Sequence, residues 1–217
     1  MNKTTRYTNK GYFERYAIEC LIELIDKNYS KLTHTADGSN PDWKGNDDFP
    51  VGLEVTRVMC GEDGKINRSI SEYYGCGLPQ NELIKKIKDK NEAQHEIYII
   101  NQTVVTPYSY NSDFINEFIE TITNTIDKKI NKLNKCNYKL FKKNELFLFL
   151  DYMFSFNKEQ LLRIQRHSFK SDKKTYDTLF MVDQECLYVI SKNEIRKIVL
   201  SADKSKIIKK NANPYLP

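Results

Sequence analysis

The segment Glu145-Leu-Phe-Leu-Phe-Leu150 constrains the fold more than any other part of the chain. Its five consecutive apolar side chains leave neither face of a strand polar, so the strand must be covered on both sides. Covering layers are available. In residues 11–28, Phe13, Ala17, Cys20, Leu21 and Leu24 recur at three and four residues and form one helical stripe. Ser112 is placed to cap a long helix carrying Phe114, Phe118, Ile122, Ile126, Ile130 and Leu133, and residues 157–167 form a shorter one. Further strands are expected over residues 96–100, 178–182, 186–190 and 195–200. The fold class these patterns predict is α/β, a mixed central sheet flanked by helices.

Residues 51–58 are a different kind of strand. Val51, Leu53 and Val55 alternate with Glu54 and Thr56, so one face is apolar and the other polar. Before it, residues 32–35 suggest a short strand, and Asp37-Gly-Ser-Asn-Pro41 and Lys44-Gly-Asn-Asp-Asp-Phe-Pro50 read as polar turns and loop. A helix over residues 79–94 buries Leu83, Ile84 and Ile87 and exposes Lys85, Lys86, Lys88 and Lys90. No repeat, linker or low-complexity block divides the 217 residues, so a single domain is expected, with its core over 11–200 and a loose Lys- and Asn-rich tail from 202.

Composition removes several function classes. With 40% hydrophobic and 12% aromatic residues the chain is neither disordered nor fibrous. No apolar run approaches the length of about eighteen residues needed for a membrane span, and the first residues carry no hydrophobic leader, so a cytoplasmic protein without membrane contact is expected. Five scattered cysteines without a C-x-x-C pair read as reduced thiols, and none lies near a histidine at zinc-ligand spacing. No phosphate-binding glycine loop, dinucleotide fingerprint or G-x-S-x-G elbow is present. The formal charge of +5 permits a polyanionic partner without demanding one. Seven lysines between 128 and 143, with Tyr138 and Phe141 among them, either complement the end of a helix or meet phosphates.

The residues that carry chemistry are Pro41-Asp42 and, after eleven intervening positions, Glu54-Val55-Thr56. A carboxylate at a loop edge and a second on the polar face of the next strand can converge on a hard cation. Magnesium takes oxygen ligands and commonly only one or two protein carboxylates. Such an ion polarises a phosphoryl oxygen and lowers the pKa of bound water.

This order of residues resembles the PD-(D/E)xK phosphodiesterase superfamily, whose fold is restriction-endonuclease-like. There an acidic residue on a first helix precedes a hairpin bearing Pro-Asp and then (Asp/Glu)-x-Lys. The matching positions are Glu19 or Glu23, then Asp42, then Glu54-Val55-Thr56, over roughly residues 11–100. The resemblance implies a nuclease acting on nucleic acid, DNA ahead of RNA, with room for a homodimer. It implies Mg2+ or Mn2+ held by Asp42, Glu54 and the carbonyl of Val55, with Glu19 as a third or outer ligand. The departure is Thr56, which stands where the family has lysine and cannot supply a positive charge. Lys44, Lys85 and Lys86 are the expected substitutes. A nuclease-fold binding or inhibitory module with weakened catalysis is the alternative expectation.

Overall fold

The computed structural model describes residues 9–35, 40–59, 81–82, 84–85, 98–100, 103–105, 112–150, 155–170, 172–183 and 185–212. In chain order the elements are α1 (Asn9–Leu24), a 3-10 turn (Lys27–Lys31), β1 (Thr33–His34), β2 (Trp43–Lys44) and β3 (Val51–Val58). Then come β4 (Tyr98–Ile100), β5 (Thr103–Val105), α2 (Ser112–Leu133), β6 (Lys143–Leu150) and α3 (Lys158–Phe169). The chain ends in β7 (Thr178–Val182), β8 (Cys186–Ile190), β9 (Ile195–Val199) and α4 (Ala202–Ala212).

Two compact units divide the chain: Met1–Val58 with Ile122–Pro217, and Met59–Thr121. The first is an α/β body built on a seven-stranded, mixed, open sheet in the order β1-β2-β3-β6-β7-β8-β9. Antiparallel pairing runs from β1 through β2 to β3; β3, β6 and β7 are parallel; β8 and β9 return antiparallel. The doubly apolar strand is β6, between two parallel neighbours at the centre of the sheet. In the second unit β4 and β5 pair antiparallel, with Ile99 opposite Val104, and the Phe114 and Phe118 rings of α2 stack at 6.2 Å. The helix expected over 79–94 falls mostly outside the described residues.

Period-two alternation sorts the sheet into two buried faces. Val51, Leu53, Val55, Phe147, Phe180, Val182 and Leu187 form one core with Tyr16, Ala17, Cys20 and Leu21 of α1 and with Ile208 and Ala212 of α4. Leu146, Leu148 and Leu150 of β6 and Leu179 and Met181 of β7 are equally buried on the other face. Ion pairs from Lys129 and Lys132 to Glu54 of β3 set residues 122–133 of α2 over that second face. Among the described residues no helix is long and apolar enough to cross a membrane.

Three local expectations are corrected. The first helix stops at Leu24, because the Asp26 side chain accepts the Asn28 N–H at 2.9 Å and starts the 3-10 turn instead. Trp43 and Lys44 are a short strand rather than loop, paired to Leu53 and Gly52. The tail from Ala202 is helical: Ile208 and Ala212, four residues apart, are buried, although the lysines around them hide that spacing in the sequence.

Candidate active site

Glu54 is the centre of the site. The same alternation that sends Val51, Leu53 and Val55 toward α1 turns Glu54 to the opposite face, where it is only 1% exposed. A buried carboxylate is costly unless it is paired and hydrogen-bonded. Here Lys129 Nζ and Lys132 Nζ donate to Oε1 at 2.8 and 2.7 Å, and the Tyr138 hydroxyl donates to Oε2 at 2.9 Å. The lysines lie three residues apart on α2, so both reach down from one helix face. Burial alone would raise the Glu54 pKa, yet Lys129 and Lys132 outweigh it and hold the carboxyl below its ordinary value. Tyr176 completes the surround; its hydroxyl donates to the Lys129 carbonyl at 3.3 Å, and burial beside Glu54 and Asp42 raises its pKa.

Asp42 follows the buried Pro41 and immediately precedes β2. Its carbonyl accepts the Thr35 N–H at 2.9 Å, and the Thr35 hydroxyl donates to the Pro41 carbonyl, so the chain is fixed on both sides of the peptide. β2 is short, and beyond its end the Val55 N–H donates to Asp42 Oδ2 at 2.8 Å. Within a strand the N–H and C=O of one residue point to the same edge, so the Val55 carbonyl lies on the Asp42 edge as well. Burial raises the Asp42 pKa, repulsion from Glu54 and Glu14 raises it further, and Lys129 opposes them. Lys129 is thus the lysine that acts on both carboxylates.

The structure brings Asp42, Val55 and Glu54 together, with Thr56 half-buried on the same face of β3 as Glu54. It commits Glu19 elsewhere: Oε2 accepts from the Asn211 side chain of α4 at 3.1 Å. Glu23 lies 3.9 Å from Lys204, also on α4. The α1 acid that acts on Asp42 is Glu14, buried and 2.7 Å from His34 Nε2, whose ring sits edge-on to Trp43 at 5.1 Å. Lys44 has its backbone in β2, Lys85 is exposed in the other unit and Lys86 lies outside the described residues. The cations on Glu54 come instead from the lysine-rich end of α2. A signal for this existed. At about 100° per residue, Lys129 falls within about 20° of Ile122 on the helix wheel, beside the buried stripe, whereas Lys128 points away.

The donor set suits a hard cation. Two carboxylates and one carbonyl, all oxygen, are what magnesium commonly takes from a protein before water fills its remaining positions. The mutual repulsion that raises the Asp42 pKa is what a cation between the two carboxylates would relieve. Both Glu54 oxygens are held by Lys129, Lys132 and Tyr138, so a cation has to take Oε1 from an ammonium group. Among the described residues no three Asp, Glu, His or Cys side chains group as metal ligands.

Fold and site together define an α/β protein with a buried carboxylate–lysine cluster at the edge between β2 and β3. No family model, curated protein or solved structure matches the chain.

Proposed function

We propose that the chain is a nuclease of the restriction-endonuclease-like fold that hydrolyses phosphodiester bonds with Mg2+ or Mn2+, DNA ahead of RNA. The observation that carries the reading is that Asp42, bonded to the Val55 N–H, and Glu54 act on each other's charge while Lys129 acts on both. Thr56 leaves the motif without its lysine, and α2 brings an ammonium group to the same carboxylate. A helix, α1, followed by the antiparallel β1–β2–β3 that carries Asp42 and Glu54 is also the order that the resemblance implies over this part of the chain.

In this reading Asp42, Glu54 and the Val55 carbonyl would hold the ion, which would supply Lewis-acid polarisation of a phosphoryl oxygen and a more acidic bound water. Lys129 stands beside both carboxylates and offsets charge that develops on the phosphate, a contribution worth on the order of a hundredfold in rate for one such group. Tyr138, held to Glu54 Oε2, fixes the rotation of that carboxylate. The saturation of Glu54 by three donors favours the second reading, a nuclease-fold module that binds without cutting.

The test is cleavage of linear DNA and RNA by purified protein with Mg2+, Mn2+ or chelator. The proposal requires metal-dependent products that disappear in Glu54→Gln. Equal cleavage by that variant, or none by wild type on either substrate, overturns it.

A further inference from the structure

Residues 128–144 contain seven lysines and no acidic residue, and the structure sorts those lysines by role. Lys129 and Lys132 turn inward to Glu54. Lys143 pairs with the buried Glu145, Lys128 is exposed on α2, and Lys135, Lys139 and Lys142 are exposed on the loop between α2 and β6.

That loop is pinned from below. Asn134 accepts the Lys174 N–H and donates to the Lys174 carbonyl, at 3.2 and 2.7 Å. Tyr138 bonds Glu54. Phe141 lies over Gly52, where an added Cβ would come within 2.6 Å of its ring and 3.1 Å of Pro41. Asn144 closes the far end, accepting the Phe141 N–H at 3.0 Å and donating to its carbonyl at 2.9 Å. Above this floor, Leu140 is 46% exposed, one of three exposed large apolar side chains among the described residues. Lys139 lies 5.4 Å from the Phe141 ring centroid.

We infer that residues 134–142 are the surface on which a nucleic-acid backbone rests as it crosses the candidate site, with Lys135, Lys139 and Lys142 on phosphates and Leu140 against a sugar or base. This deepens the proposed function and rests on it for the identity of the polymer. The loop favours a polyanion because no acidic residue lies between positions 128 and 144. It favours a polymer crossing the site because the residues that anchor the loop, Tyr138 and Phe141, touch Glu54 and pack over Gly52 beside Pro41. A rigid loop loses little conformational freedom on binding, which suits it to a ligand held mainly by phosphate contacts. An apolar side chain flanked by phosphate-binding cations is the arrangement that lets a protein press against a base step.

The experiment measures binding of fluorescent single- and double-stranded DNA and RNA 20-mers to the full chain by anisotropy, in Ca2+ at several salt concentrations. Wild type is compared with the triple variant Lys135→Ser/Lys139→Ser/Lys142→Ser, with Leu140→Ser, and with a control at Lys206, Lys209 and Lys210 of α4. Three lost contacts lower the slope of log affinity against log salt by about 2.7 on a duplex. The wild-type affinity lost between about 50 and 200 mM salt then exceeds the triple variant's by about 40-fold. Leu140→Ser weakens binding with the slope unchanged, and the α4 control binds as wild type. Circular dichroism of each variant confirms the fold. Wild-type slope in the triple variant overturns the inference but leaves the function standing if the protein still cuts. Loop-dependent binding without metal-dependent cleavage keeps the inference and removes the nuclease reading. Absence of binding to every nucleic acid at low salt overturns it in favour of an acidic protein partner.

Discussion

Glu54→Gln tests the structure independently of any activity. The substitution keeps shape and acceptor capacity at one oxygen but removes the charge that joins two ammonium groups, both within 2.8 Å of Oε1. Removing one member of a buried ion pair costs about 3–5 kcal/mol, chiefly because the partner charge is left uncompensated. The Lys129 and Lys132 side chains retain 21% and 26% of their exposure, so they can turn partly to water and the lower end applies. For a body of this size about 3 kcal/mol corresponds to a fall in Tm of roughly 6–12 °C. The folded Glu54 carboxyl titrates below its unfolded value of 4.5. Its stabilisation is therefore complete above that value and is lost as the pH falls through the lower folded one. Thermal unfolding followed by circular dichroism should show a wide gap between wild type and variant at pH 7, which closes as the pH drops below 4.5. A Tm unchanged at pH 7, or a gap that persists undiminished in acid, would refute the ion-pair account.

Other substitutions carry their own signs. Asp42 has the opposite shift, raised above 3.8, so its ionisation opposes folding at neutral pH. Asp42→Asn, which can still accept the Val55 N–H, should unfold at the wild-type temperature or above at pH 7 while losing cleavage; a large fall in Tm contradicts the shift. Gly52→Val pushes against Phe141 and Pro41 and should cost about 1–3 kcal/mol by overpacking, read as a lower midpoint in urea. Gly45→Ala should be worse, since its Cβ would meet the Phe49 carbonyl oxygen, a backbone atom that cannot rotate away. Lys132→Met should tighten Mn2+ binding in calorimetry by about tenfold or more, because the cation and the ammonium compete for Glu54 Oε1; weaker binding would mean that Lys132 helps to assemble the site.

The strands that build the sheet were legible because their patterns are short and clean. The unbroken apolar run at 146–150 places β6 in the middle, and the alternation at 51–55 assigns Glu54 to its face from the sequence alone. β2 was not legible, since two residues held between longer partners carry no periodicity of their own. The Asp42–Glu54 pair is readable from its motif, whereas for the cation the helix wheel sets Lys129 beside the buried stripe of α2 without saying which strand lies beneath it. Lysines at the end of a helix have an adequate explanation in the helix dipole, and nothing local says that the fold lays α2 across β3. Glu19 and Glu23 are the acids that the resemblance points to on α1, whereas Glu14 is recognisable only once His34 and Asp42 are beside it.

The central claim is that Lys129 does from α2 what the motif lysine would do from position 56. It is tested most directly by moving that charge. Thr56 and Glu54 share a face of β3, so a lysine at 56 reaches the same carboxylate. Single-turnover cleavage rates are compared for wild type, Lys129→Met, and Lys129→Met combined with Thr56→Lys. The account predicts a loss of on the order of a hundredfold in Lys129→Met and recovery of most of that loss in the double variant. A Lys129→Met protein that cuts at the wild-type rate would contradict it.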